Sequence, residues 1–237
     1  MSLTFNGVNS DSLDVIVEKY PDRVIPERIV ETVRVPGRNG TLTRTQGFAN
    51  VVQDYDVYVS AEAAGLPSAS AAMAAWLLAP EGYQRLEDSY NSGEYRMGRL
   101  IQNADLQNFF NKYGRATLSF DCLPQRWLTS GETATTYTVN TTITNPTKFT
   151  ALPLIEVVGT GDIVFSLGGF SVSIEDLVSS ITLDCEAQNA YDGQDNLNSS
   201  ITLSDGEFPQ LAPGSNSLTI TTGSVTSITI TPRWWTI

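Results

Sequence analysis

From residue 153 onward the chain repeats one device: a short run of alternating apolar residues, then a turn signal. The runs are PLIEVVG, DIVFSLG, FSVSI, SSITLDCE, LNSSITLSD, SLTITTG and VTSITITP, separated by GTG, GG, DG and PGSN. An amphipathic helix needs apolar positions at spacings of three and four over ten or more residues, and none of these runs offers that. Only short antiparallel strands satisfy the pattern, and many of them in succession predict a β-sandwich.

The first half differs in one respect. LTFNG, LDVIVEK, RIVETVRV, YQRLED, YRMGRLIQ and RATLSFDC are strand-like, and VQDYDVYVS alternates cleanly, with Val51, Tyr55, Val57 and Val59 on one face and Asp54 and Asp56 on the other. PSASAAMAAWLLAP breaks the alternation. Pro67 opens it, Ser68 or Ser70 is the expected cap, and Pro80 ends it, which predicts a helix of about three turns. The expected fold class is therefore mainly β: a β-sandwich-like N-terminal domain with one α-helix and a projecting hairpin, followed by a C-terminal β-sandwich. Between them runs TSGETATTYTVNTTITNPTKFT, which is Thr-rich and nearly free of bulky side chains. The expected boundaries are 1–130 for the first domain, 131–150 for a Thr-rich connection carrying one or two strands, and 151–237 for the second.

Charge narrows the function classes. The net charge of −12 disfavours nucleic acid and anionic membrane surfaces, which need clustered Lys and Arg. It is unevenly spread, since residues 1–126 hold 12 basic and 15 acidic groups while 127–237 hold 2 and 11. The absence of histidine removes Ser-His-Asp and Cys-His catalysis and His-ligated zinc. Glu81, Glu87 and Asp88 in PEGYQRLEDSY supply carboxylates without any sign of the paired geometry that glycoside hydrolysis requires. DGQDNLN lacks the spacing of a calcium loop. No enzyme activity, cofactor or metal is expected. Cys122 and Cys185 alternate with Leu118, Phe120, Ile181 and Leu183, so both are expected as small core residues and not as a disulfide. MSLTFNGVNS has neither a basic nor an apolar leader segment, and the longest apolar run, AAMAAWLLA, is too short to span a bilayer. The chain is expected to be made in the cytosol.

Two places are candidates for contact with a partner. In VPGRNGTLTRTQGF, Asn39-Gly40 signals a type I′ hairpin turn, which puts Arg34, Arg38 and Arg44 on or near a projecting arm. Arginine suits a subunit contact because its planar fork binds carboxylates bidentately, and the chain has 11 Arg against 3 Lys. In the closing PRWWTI, Ile228, Ile230 and Trp234 share one parity and Trp235 takes the other. Trp235 is thus expected outward, where it could stack on a sugar ring or fill an interface.

Taken in order, TFNGVNS, VPGRNGTL, APEGYQRLEDSY, YRMGRL, LSFDCLPQRWLTSGE, ITLDCEAQNAY, DGEFPQLAPGSNSLTI and PRWW resemble the distal tail protein (Dit) family of siphophages, the baseplate hub. The resemblance implies a hexameric ring built from the N-terminal domain, with a galectin-like C-terminal sandwich outside it. It implies a place at the tail tip of the virion after synthesis in the host bacterial cytoplasm. It further implies contact with the major tail tube protein, a tail-associated fibre or lysin protein and the tape-measure protein. A sugar-binding galectin site would need His, Asn, Arg and Trp together, whereas the second half has no His and only Arg233, so the galectin likeness implies fold and not lectin activity. The alternative is a β-sandwich module that binds cell-surface glycan through Trp235.

Overall fold

The computed structural model describes residues 1–60, 65–101, 107–109 and 112–237. The chain divides into two compact units, residues 1–126 and residues 127–236.

In the first unit the elements are β1 (Leu3–Phe5), β2 (Val8–Asn9), β3 (Val15–Val17), β4 (Arg28–Val33), β5 (Leu42–Phe48), β6 (Val51–Ser60), α1 (Leu66–Leu78), β7 (Gln84–Asp88), β8 (Glu94–Leu100), β9 (Gln107–Phe109) and β10 (Tyr113–Cys122). Neighbouring strands run in the order β2-β1-β7-β8-β10-β6-β3, with β9 on β10. Every pairing is antiparallel, and the longest runs from Val51↔Cys122 to Ser60↔Tyr113. Alternation along β6 works as read: Val51, Tyr55, Val57 and Val59 are buried while Val52 and Asp54 are exposed. Gln53 also points inward, where its amide donates to the Asp22 carbonyl at 3.0 Å. The expected helix forms, but its start differs. Neither Ser68 nor Ser70 caps it; Gly65 does, at φ 76°, with no side-chain hydrogen bond. Pro67, its φ already helical, sits in the first turn. Met73, Trp76 and Leu77 face the core, where the Trp76 ring meets Phe5 edge-on at 6.4 Å and its indole N–H donates to the Phe5 carbonyl at 3.1 Å.

The remaining strands are β11 (Arg126–Leu128), β12 (Thr135–Tyr137), β13 (Thr141–Asn145), β14 (Leu154–Leu167), β15 (Phe170–Leu177), β16 (Ser180–Asp184), β17 (Asn189–Asp192), β18 (Asp195–Asn196), β19 (Ile201–Leu203), β20 (Gly214–Thr231) and β21 (Trp235–Thr236). The second unit is organised by β14 and β20, which pair from Leu154↔Thr231 to Leu167↔Leu218. The segments PLIEVVG and DIVFSLG are one strand, and so are SLTITTG and VTSITITP. The glycines between them make bulges where turns were expected. Register shifts fall between Val158 and Gly159 and between Thr160 and Val164, and Gly161 and Gly223 hold φ of 75° and 104°. These breaks let the ribbon bend, so one part of β14 pairs with β16 and the other with β15. A single folded sheet thereby supplies both layers around Ile155, Val157, Ile163, Phe165, Leu167, Ile181, Leu183 and Ile228, all 0% exposed. The Thr-rich stretch lies inside this unit. Its β12 and β13 both pair with β20, and Thr136 meets Thr229 across the ladder at 2.9 Å. Cys122 and Cys185 are free, fully buried thiols, pushed up to about 11 and about 12 chiefly by burial.

Arg233 closes the second unit with a bidentate pair to Asp184, Nη1 to Oδ1 at 2.7 Å and Nη2 to Oδ2 at 3.1 Å. The hydrogen bond from Arg233 holds the Asp184 carboxyl below its ordinary 3.8. A carboxyl whose folded pKa is depressed contributes stability above its unfolded pKa and loses it as pH falls through the folded one. Asp184→Asn should therefore cost about 1–3 kcal/mol at pH 7. The deficit should shrink as pH falls below 3.8, as urea unfolding of both proteins at each pH would show.

Candidate functional site

The hairpin β4–β5 forms a two-stranded sheet that no other strand among the described residues joins. Its pairing runs from Arg28↔Phe48 to Val33↔Leu42, with a bulge on β5 at Gln46, which the register skips between Ile29↔Gly47 and Val30↔Thr45. Residues 34–41 close it. The tight turn is Val35-Pro36-Gly37-Arg38, in which the Arg38 N–H donates to the Val35 carbonyl at 3.2 Å and Gly37 holds φ 80°. Pro then Gly at the two central positions is the type II pattern. Asn39-Gly40 is not the closing turn, because only Gly40 of the two has positive φ and a type I′ turn needs both. Two turn signals compete within five residues, and Pro36 prevails by fixing its own φ first.

Every residue from 27 to 46 is exposed. Among them Ile29, Val30, Val33, Val35 and Leu42 are each 39–49% exposed, on a ribbon that has no core of its own. An isolated two-stranded hairpin is marginal in water, so such a surface calls for a cover. Polarity points the same way. Between residues 28 and 48 the hairpin carries four arginines against one glutamate. Glu31 accepts from the Gln46 amide at 2.8 Å, and Arg28 lies 4.8 Å from the Phe48 ring centroid. Arg34, Arg38 and Arg44 have no ion-pair partner among the described residues. Arg34, Arg38 and Asn39 thus sit together in the closing loop, and Arg44 on β5 opposite Glu31.

Trp235 belongs to the other unit and is half-buried, where an exposed ring was expected. Its indole stacks on Phe149 at 4.4 Å and 29°, and its N–H donates to the Thr150 carbonyl at 2.9 Å. Phe149 and the Thr150 carbonyl thus hold one ring face and the sole donor. Trp234, 6% exposed, is the inward ring.

Two of the carboxylates of PEGYQRLEDSY do structural work, Glu87 in an ion pair with Arg85 and Asp88 as an acceptor. Asp88 accepts from the backbone N–H groups of Tyr90 and Asn91 at 3.0 and 2.8 Å and from the Tyr55 hydroxyl at 3.1 Å. Near it lie two arginines that periodicity did not single out. Arg96 and Arg126 are 3% and 5% exposed. Arg126 has Glu94 at 3.7 Å, while Arg96 donates through Nη2 to the Val24 carbonyl at 3.1 Å and leaves Nε and Nη1 without a partner. Burial, then the Arg126 charge, pushes Arg96 down to about 10. Parity on β8 places Arg96 with buried Gly98, and that register was the one available signal. A buried cation with no carboxylate costs more than an apolar side chain of similar length. Arg96→Met is expected to raise the stability of the first unit by about 1–3 kcal/mol in urea unfolding. A loss of stability would mean that the bond to Val24 outweighs the desolvation.

No family model and no curated protein matches the sequence. Solved structures do. The Dit protein of phage SPP1, a paradigm of the hub adsorption apparatus in phages that infect Gram-positive bacteria, matches with a TM-score of 0.74 at 15% identity, over 100% of this chain and 99% of that one. Two structures of the phage p2 baseplate in its activated conformation also match. The one with Sr has a TM-score of 0.48 at 10% identity, over 97% of this chain and 96% of that one. The one with Ca has 0.45 at 10%, over 92% and 90%. At those scores the p2 likenesses carry no weight here. From end to end the chain has the fold of the SPP1 Dit protein.

Proposed function

We propose that the chain is a structural subunit of a phage tail tip, a distal tail protein that assembles with copies of itself into a hub. The observation that carries this reading is the likeness to the SPP1 hub protein over the whole of both chains. The arm supports it independently, since a free ribbon with exposed apolar side chains and unpaired arginines suits a subunit that is never meant to be alone. On this reading the first unit forms a hexameric ring and the second lies outside it. The ring's faces meet the tail tube protein and a fibre or lysin protein, with the tape-measure protein threading it. No catalysis is needed for that role. An acidic hub also suits a conduit for DNA, because like charge keeps phosphate from lingering. Among the described residues no helix is long and apolar enough to cross a membrane.

Light scattering on a sizing column, followed by negative-stain imaging, tests the reading. A species of about six times the 25.8 kDa chain mass, with a central hole, is the expected result. A chain that stays monomeric, alone and with its tail partners, overturns it. The glycan alternative predicts instead binding on a glycan array that Trp235→Ala abolishes.

A further inference from the structure

The unpaired arginines of the arm have a counterpart on the same unit. The outer face of β6 presents Val52, 49% exposed, and Asp54, followed by Asp56. Asp56 is already occupied, by the Lys19 ammonium at 2.7 Å and the Thr117 hydroxyl at 2.7 Å. The side-chain carboxylates of Asp54 and Asp22 accept no hydrogen bond and make no ion pair among the described residues, although the Asp22 carbonyl accepts from Gln53. These groups share a pocket of about 160 Å³ walled by Pro21, Val24 and Val52. Two free carboxylates beside apolar walls match a guanidinium fork on an aliphatic stem.

The arm cannot fill its own chain's pocket. β4 spans six residues at about 3.3 Å each, so the ribbon holds Arg38 roughly 20 Å from its root. That root joins β6 through Phe48 to Val51, immediately beside Val52. In the paired hairpin, tip and pocket therefore lie at opposite ends, and another copy is what can bring them together.

We infer that Arg38 at the tip of one copy's arm docks between Asp54 and Asp22 of the next copy. This rests on reading the arm as a subunit contact, and it adds the acceptor. The contact is head-to-tail, because the two surfaces differ, and such contacts generate closed rings or filaments instead of two-fold dimers. Each subunit gives one arm and receives one. The exposed Val33, Val35 and Leu42 of the arm would be covered in the same event.

A charge swap tests the pairing. In the full chain, Arg38→Glu and Asp54→Arg should each weaken self-association by about ten-fold or more, measured by light scattering across a dilution series. Both sites are exposed, so the melting temperature of the monomer should hold. The double variant, with the charges exchanged, should recover most of the lost affinity, and Asp54→Asn should give an intermediate loss. Association that neither single variant weakens overturns the pairing and leaves the hub reading standing, as does a double variant as weak as the two losses combined. A wild-type chain that never associates overturns the hub reading itself.

Discussion

Gly223→Ala is expected to destabilise the second unit by about 3–5 kcal/mol. Two costs combine. Gly223 holds φ 104°, a region that L residues enter at about 1–3 kcal/mol. A Cβ built there would lie 2.5 Å from the Asp162 carbonyl oxygen and 2.8 Å from the Ile163 Cα. Those are backbone atoms of the neighbouring strand, so relief means parting β14 from β20, and overpacking of that kind costs a further 1–3 kcal/mol or so. For a unit of roughly 110 residues the sum lowers the melting temperature by about 15 °C or more. Gly161→Ala separates the two terms, because Gly161 holds φ 75° but has nothing within 4 Å of its missing Cβ. It should pay the conformational cost alone, about 1–2 kcal/mol. Calorimetry on the two variants decides. Equal losses would show that crowding at the bulge is relieved freely, and that the bend of the ribbon is set elsewhere.

The same glycines mark where reading the sequence stops. Alternation along β6 and the apolar runs of the second half are properties of each segment, so strand existence and the buried face are legible without a fold. Whether Gly159 to Gly161 ends a strand or bulges it depends on the partner, since glycine at positive φ serves both. Eighteen continuous residues of β20 make it a bulge, and that strand is remote in sequence. Threonine is legible only in part for a related reason. Residues 131–150 read as a connection carrying one or two strands, and β12 and β13 are present there; that both pair with β20 depends on a partner remote in sequence. Among the candidate contacts, the arm was legible because Asn39-Gly40 between two strand-like runs signals a hairpin, although the tight turn forms at Pro36-Gly37 instead. That the hairpin stands alone was not, and neither was the burial of Arg96, because both depend on which neighbours the topology supplies.

Removing the arm should separate folding from assembly. Joining Ile29 to Gly47 through Asn-Gly deletes residues 30–46 and keeps the Arg28↔Phe48 and Ile29↔Gly47 pairs. The deleted residues are all exposed and pair only with one another, so the core around Phe5, Trp76 and Phe120 loses nothing. Surface changes of this type stay within about 0.5 kcal/mol, which holds the melting temperature to within a few degrees. Self-association should fall by about 100-fold or more. Val30, Val33, Val35 and Leu42 offer the apolar area, Arg34, Arg38 and Arg44 the unpaired charge, and central contacts that combine the two dominate interface energies. The shortened chain should run as a monomer at concentrations where the full chain is assembled. If it still assembles, the subunit contacts lie on the sheet faces, and the exposed apolar ribbon must serve a different protein. If it unfolds, the arm is part of the fold, and its exposure in the single chain would need another explanation.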